Sequence, residues 1–122
     1  MQVKPSLLLN EEGRLSPHAI MAVMEKLGFQ EAKNFTEHPI VPGSDGMDMY
    51  FWRESDRTLV QISYCTGEIN PNNAGWYLRF KRNFKPGDNP EYNDTQNFDH
   101  EIPAQKIAEA IAKMLNELET RK

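Results

Sequence analysis

Residues 47–65 have the sequence MDMYFWRESDRTLVQISYC, and this stretch decides the fold. Its first block, residues 47–53, is rich in large aromatic side chains, and its second, residues 58–65, alternates apolar with polar residues as β-strands do. The polar link between them, residues 54–57, has the length that joins antiparallel neighbours. We therefore predict a β-hairpin over residues 47–65.

A third strand is predicted at residues 75–83, GWYLRFKRN, after a loop rich in Gly, Pro and Asn. Alternation puts three apolar side chains on one face, namely Trp76, Leu78 and Phe80. It puts three amphipathic or charged side chains on the other face, namely Tyr77, Arg79 and Lys81. A fourth, polar edge strand is a weaker possibility at residues 29–35. We expect one face of the third strand to be buried and the other face to be exposed to solvent.

One amphipathic helix is predicted before the strands and one after them. Ser16 and Pro17 provide an N-cap and a first helical residue, apolar residues recur at helical spacing, and Gly28 ends the helix at about residue 27. Pro103 opens the second helix, whose apolar seam continues to about residue 119. We expect both apolar stripes to pack on the sheet.

The order of elements predicts an α+β fold, because strands joined by short links without intervening helices are most simply antiparallel. We expect an antiparallel sheet of three to four strands in a meander, flanked by an N-terminal and a C-terminal amphipathic helix in the order helix, strands, helix. Residues 1–122 are expected to form a single domain. Within it, residues 1–15 are expected to be an N-terminal arm and residues 85–101 a long polar loop.

Composition limits the classes of function. The 122-residue chain has a formal net charge of -4, which disfavours nucleic acid and anionic membranes unless a local patch is basic. Its single cysteine, Cys65, excludes an intramolecular disulfide and suits a reducing compartment. Residues 7–9 are too short an apolar run for a signal peptide, and no run approaches the roughly 20 residues of a membrane span. We therefore expect a cytoplasmic protein that does not enter membranes.

No catalytic residue, cofactor or metal site is predicted. Cys65 ends an apolar strand, where a small buried thiol is common, and nothing in the sequence places a histidine beside it. The acidic residues around His100 are typical of a solvated flank before a helix. Residues 42–46 lead into the first strand of the hairpin, whereas phosphate-binding loops lead into a helix. We expect a protein that is not an enzyme.

The leading hypothesis is therefore a small acidic non-enzymatic protein-binding module, such as an adaptor, an inhibitor or an immunity-type protein. It would act through an open sheet face and its polar loops, and its partner would be another protein or a second copy of the chain. Because Met49 and Phe51 alternate with Tyr50 and Trp52, at least one aromatic pair is expected to be exposed. The candidate binding residues are Tyr50, Trp52, Tyr77, Arg79, Lys81 and Lys85.

Two alternatives stay open. The first is nucleic-acid binding, since aromatic rings stack on bases and cations meet phosphates; its residues are Tyr77, Arg79, Lys81 and Lys85. The second is a small-ligand carrier or an enzyme with a pocket between the helices and the sheet. The polar groups of that pocket would be Tyr64, His38 or His100.

Overall fold

A computed structural model describes residues 2–32, 46–65, 74–85, 87 and 91–120. His38 and most of the loops predicted before the hairpin and before the third strand lie outside the described residues. The chain divides into two compact units, residues 30–101 and a unit that joins residues 1–29 with residues 102–122. The single domain, the packing of helices on the sheet and the pocket between them stay predictions.

The first unit, residues 30–101, contains an antiparallel five-stranded sheet whose strands are adjacent in chain order. The strands are β1 Gln30–Glu31, β2 Gly46–Arg53, β3 Thr58–Cys65, β4 Gly75–Lys81 and β5 Asp94–Phe98. In the predicted hairpin, Arg53 pairs with Thr58 across the turn and Asp48 pairs with Ser63 farther along. The hairpin, the antiparallel meander and the α+β class are confirmed.

The number of strands differs from the expected three to four, and the clearest correction is β5. It lies within residues 85–101, which were expected to form a polar loop, and it pairs with β4 from Trp76 opposite Phe98 to Phe80 opposite Asp94. Its side chains are exposed or half-buried, so pairing with β4 defines the strand although its own residues have no apolar pattern. Gly75 has φ +130°, and a Cβ there would collide with the Phe98 carbonyl, so glycine permits the close approach of β5.

Alternation and register assign the side chains to two faces of the sheet. One, the apolar face, carries buried residues from three strands, namely Met49, Phe51, Val60, Ile62, Trp76, Leu78 and Phe80. The other, the mixed face, carries Tyr50, Trp52, Leu59, Gln61, Ser63, Tyr77, Arg79 and Lys81. The burial predicted for Trp76, Leu78 and Phe80 is confirmed.

An ion pair closes the turn between β2 and β3. Arg53, which is only 3% exposed, donates from Nε to Asp56 Oδ1 at 3.0 Å and from Nη2 to Asp56 Oδ2 at 2.8 Å. Arg82 Nη1 lies 3.8 Å from the same Oδ2. Partial burial by itself would raise the pKa of Asp56, but the hydrogen bonds from Arg53 and the charges of Arg53 and Arg82 lower it below its ordinary value. The negative charge of Asp56 in this turn is therefore balanced by arginine side chains of the same chain.

The second unit contains helix α1, Pro17–Lys26, and helix α2, Ala104–Thr120. Ser16 Oγ accepts a hydrogen bond from the Ala19 backbone N–H at 3.2 Å, which confirms the predicted N-cap. The apolar seam of α2 is buried and comprises Ile107, Ala108, Ile111, Ala112, Met114, Leu115 and Leu118. Neither described helix has the length and apolar composition that crossing a bilayer requires.

The predicted N-terminal arm has structure of its own within this unit. Residues Pro5–Leu8 form a 3₁₀ helix that contacts both α1 and α2, and Val3 is buried. The Asn116 side chain accepts from the Val3 backbone N–H at 2.7 Å and donates to the Val3 carbonyl at 3.0 Å. These two hydrogen bonds fix the start of the described chain to α2.

Candidate binding site on the mixed face of the sheet

Strand register brings polar and aromatic side chains together in two neighbouring rows on the mixed face. Tyr50 lies opposite Gln61, which lies opposite Arg79, and in the next row Ser63 lies opposite Tyr77. Tyr92 joins them from the residues before β5, where the Asn93 backbone N–H donates to the Phe80 carbonyl at 2.8 Å. We name this group the tyrosine–arginine site: Tyr50, Gln61, Ser63, Tyr77, Arg79 and Tyr92.

Arg79 lies at the centre of the site between two tyrosine rings. Its Cζ atom is 5.3 Å from the centroid of the Tyr77 ring and 5.4 Å from the centroid of the Tyr92 ring. Distances below about 6 Å allow a guanidinium to interact favourably with the negative face of a ring. Tyr77 precedes Arg79 by two residues on β4, whereas Tyr92 approaches from the far end of that strand, so the rings flank the guanidinium. The rings hold the half-buried Arg79 side chain in place.

The charge of Arg79 is not neutralised by a partner in the described part of the chain. No carboxylate described by the structure lies within 4.0 Å of this guanidinium, and its Nε is buried without a hydrogen-bond acceptor. Gln61, which is 7% exposed, donates from Nε2 to Ser63 Oγ at 2.9 Å, while its Oε1 is buried without a donor. An unpaired buried polar atom costs about 1–3 kcal/mol, so the sheet retains hydrogen-bonding capacity here at the expense of stability.

The environment of the site changes the acidity of its tyrosines. Burial, followed by the proximity of Tyr92 and Asp48, raises the pKa of Tyr50 to about 12, against the opposing effect of Arg79. Burial also raises the pKa of Tyr92, and the positive charge of Arg79 lowers it in part. A phenol with the ordinary pKa of 10.0 is already neutral at physiological pH, and these upward shifts keep both hydroxyl groups protonated and able to donate hydrogen bonds.

The structure brings together three of the six binding residues predicted from the sequence, Tyr50, Tyr77 and Arg79. Lys81 is on the same face one row farther along, opposite Leu59, and is half-buried. Lys85 is exposed but follows the last residue of β4, outside the paired strand.

Trp52 is on the mixed face, but it is only 5% exposed. It packs with Ala32, Leu59 and Phe84, and its ring centroid is 6.0 Å from that of Phe84. The expectation of an exposed aromatic pair is therefore corrected, since Phe51 on the opposite face is 1% exposed. Trp52 therefore belongs to a buried cluster against which Tyr50 and Tyr92 pack, and it offers a partner almost no surface.

Sequence reasoning missed Gln61, Ser63 and Tyr92. The alternation on β3 contained a signal for the first two, because it places them on one face and the hairpin register places that face beside Tyr50. Tyr92 had no such signal, since it lies in the segment expected to be a loop and reaches Arg79 only through the pairing of β5 with β4.

The residues of the other hypotheses do not form a comparable group. Tyr64 packs on Trp76 on the apolar face, with ring centroids 4.8 Å apart. His100 is exposed, with Nδ1 3.3 Å from Asp99 Oδ1 and Nε2 3.8 Å from Glu101 Oε1. Among the described residues, no three His, Cys, Asp or Glu side chains are grouped as a metal site would require.

A separate groove of about 430 Å³ lies within the helical unit, between the N-terminal segment and α2. Its lining includes Val3, Pro5, Ala112, Asn116 and Thr120. Asn116 is already engaged with the Val3 backbone, so the groove lacks the unpaired buried groups seen at Arg79 and Gln61 in the described part of the sheet. The mixed face is therefore the stronger candidate for a specific site.

No protein-family model, curated protein or solved structure matches this chain. The chemistry of the tyrosine–arginine site is accordingly the basis on which a function can be proposed.

Proposed function

We propose that this chain is a small, acidic, non-enzymatic binding module that recognises another protein through the mixed face of its sheet. One observation carries the proposal: the Arg79 guanidinium is half-buried, flanked by two tyrosine rings, and has no carboxylate partner among the described residues. An arginine whose only role is structural usually has its charge paired when it is partly buried. A positioned but unpaired guanidinium is better explained by a partner that supplies the missing group.

The residue types at the site support a protein partner. Tyrosine and arginine are enriched among the few interface residues that dominate binding free energy, and they act best where neighbouring groups exclude water. Tyr50, Tyr77, Arg79 and Tyr92 are all half-buried, so each needs to lose little further solvation on binding. Trp52 and Leu59, in the neighbouring row of the same face, are buried, and Tyr50 and Tyr92 pack against the cluster that they form. Such a surface is prepared for an interface with low ordering cost.

Nucleic-acid binding is the second candidate, and the specific observation in its favour is that Arg79 and Lys81 project from the same face of β4. Two observations weigh against it. The ring faces of Tyr77 and Tyr92 that meet Arg79 are occupied and cannot stack on a base. The net charge of -4, with Asp48 on the same face, also gives no extended basic groove along which a phosphate backbone could run.

The test compares wild-type protein with Arg79→Ala and Arg14→Ala as immobilised baits in extracts of the source cells. Arg14 is a matched control, because it is also an arginine but its side chain is 79% exposed. We expect wild type and Arg14→Ala to retain the same protein and Arg79→Ala to lose it. With the purified partner, calorimetry should show affinity at least about 10-fold weaker for Arg79→Ala, the effect of losing one strong interface contact.

Equal retention of the partner by Arg79→Ala would place the interface elsewhere and reject the proposal. The nucleic-acid alternative has its own readout in filter binding of labelled single-stranded RNA at low and moderate salt. RNA binding that weakens steeply with salt and is lost in Arg79→Ala would replace the protein-binding proposal with the alternative.

A further inference from the structure

We infer that the tyrosine–arginine site binds a carboxylate, presented by an acidic segment of a partner protein, with Arg79 as the anchor. The inference rests on the proposed function and deepens it by naming the chemical group that the mixed face recognises.

The turn between β2 and β3 shows what an arginine of this sheet does when a carboxylate is in reach. Arg53 uses its Nε and Nη2 atoms together, at 3.0 Å and 2.8 Å from the two oxygens of Asp56. This two-pronged geometry is the preferred one for a guanidinium and a carboxylate, and it is stronger and more directional than a contact made by lysine. At Arg79 the corresponding Nε atom has no acceptor. The missing acceptor is therefore of the kind that Asp56 supplies to Arg53.

The neighbours of Arg79 can add hydrogen-bond donors around a bound carboxylate. The Tyr50 phenol, like any tyrosine, is protonated at physiological pH, and burial above all raises its pKa further, to about 12, so its hydroxyl can donate to an anion. The side-chain amide of Gln61 can act as a hydrogen-bond donor or as an acceptor. A half-turn about its last bond lets Oε1 accept from the Ser63 hydroxyl and turns Nε2 toward the position now held by Oε1. Gln61 would then be satisfied at both ends, which its present orientation does not achieve.

A carboxylate also fits the flanking rings better than a nucleotide does. A carboxylate approaches a guanidinium along its edge, in the plane of its N–H bonds, so the contacts of Arg79 with Tyr77 and Tyr92 can persist. A stacked base would have to displace the guanidinium from one of those rings. The favourable charge is also local, since Arg79 and Lys81 share a face in a chain whose net charge is -4. The arrangement is suited to a short acidic stretch of a protein.

Entry of the carboxylate requires a small rearrangement, because Arg79 Nε is buried. The Arg79 side chain must shift outward far enough to expose Nε while the rings of Tyr77 and Tyr92 stay against the guanidinium. The bound state would then satisfy Nε, whereas the free state leaves it without a partner. Binding should therefore be visible at the Arg79 side chain itself.

The test uses the full chain and three fluorescein-labelled probes: hexaglutamate, hexaglutamine and hexauridylate. We expect hexaglutamate to bind wild type and Arg14→Gln and not to bind Arg79→Gln. Arg79→Lys keeps the charge but not the two-pronged geometry, so it should bind hexaglutamate about 10-fold more weakly. Hexaglutamine, which matches the length but lacks the charge, should not bind. In proton–nitrogen NMR spectra, the Arg79 Nε–H resonance should shift on addition of hexaglutamate.

Hexaglutamate binding that survives Arg79→Gln, or that hexaglutamine matches, would overturn the inference. Tighter binding of hexauridylate than of hexaglutamate would also overturn it and would support the nucleic-acid alternative. Circular dichroism of each variant checks that the fold is retained, and Arg79→Lys provides the milder variant if Arg79→Gln fails to fold. The peptide result does not depend on finding a partner. A natural partner lost in Arg79→Ala, combined with no selectivity for hexaglutamate, would reject the carboxylate and leave the proposed function standing.

Discussion

Arg53 and Arg79 are arginines on adjacent regions of one sheet, yet they have opposite environments. Arg53 lies on the apolar face, is 3% exposed, and holds Asp56 with two hydrogen bonds. Arg79 lies on the mixed face, is half-buried, and has two tyrosine rings where Arg53 has a carboxylate. The comparison shows that residue type alone does not decide whether an arginine stabilises the fold or is available for binding. What matters more is whether the chain supplies a partner for its charge.

The largest effect is expected when each of the two arginines is replaced separately by alanine. The free energy of unfolding of each variant is then compared with that of the wild type. Arg53→Ala should lower it by about 3 kcal/mol, because it breaks a largely buried pair and leaves Asp56 without its main partner. Arg79→Ala loses two ring contacts and should cost only about 1 kcal/mol. Urea denaturation monitored by tryptophan fluorescence measures both values. If Arg79→Ala lowered the free energy of unfolding more than Arg53→Ala did, Arg79 would be chiefly structural. The contrast between the two arginines would then not hold.

An intermediate effect is expected from Gly75→Ala, which disturbs the Arg79 region and leaves the Arg53 pair alone. The new Cβ would meet the Phe98 carbonyl at a backbone angle unfavourable to alanine, at a cost of about 2 kcal/mol. Because β5 positions Tyr92, hexaglutamate binding should also weaken. Hydrogen exchange should quicken in β5 and stay unchanged in the turn at residues 54–57. If hydrogen exchange quickened equally in β5 and in the turn, the two regions would not open independently.

The smallest effect is expected from Asp56→Asn, which leaves the shape of the turn and removes its negative charge. The free energy of unfolding should fall by only about 1 kcal/mol near neutral pH, because the Asn amide oxygen can still accept from Arg53 and the charge that is lost belongs to the more exposed partner, which is 23% exposed. The pKa of Asp56 is lower in the folded chain than its ordinary value of 3.8, so its contribution is complete above that value and is lost as pH falls through the folded pKa. The wild-type and variant stability curves should therefore converge in acid. Curves that stay parallel below pH 4 would contradict this assignment.

The sequence was sufficient for elements whose own residues carry a periodic pattern. The hairpin of β2 and β3 and both helices were predicted almost to their ends, because alternation, helical spacing and the Ser16 cap are local signals. Strand β5 was missed because DTQNF has no alternation of apolar with polar residues and only one β-branched residue, Thr95, and it becomes a strand through the edge offered by β4. Such a strand is defined by a partner distant in sequence, which a local pattern does not contain.

The candidate site shows the same division. Tyr50, Tyr77 and Arg79 were predicted because side chains on strands alternate between faces. The flanking of Arg79 by Tyr92 required the position of β5, and the burial of Trp52 required packing against Phe84 from beyond β4. The pairing of Arg53 with Asp56 across the turn was also missed, although two opposite charges three residues apart at a hairpin end are a usable signal.

The hydrogen bonds between Asn116 and Val3 also bear on how the chain acquires its structure during synthesis. Val3 precedes the sheet segment in the chain and Asn116 follows it, so the two hydrogen bonds can form only after residues 30–101 have been translated. The sheet is built from one continuous segment, residues 30–101, so all of its strands precede α2 in the chain and are translated before it. A chain truncated before Asn116 would thus contain every strand of the sheet but would lack the hydrogen-bond partner of Val3.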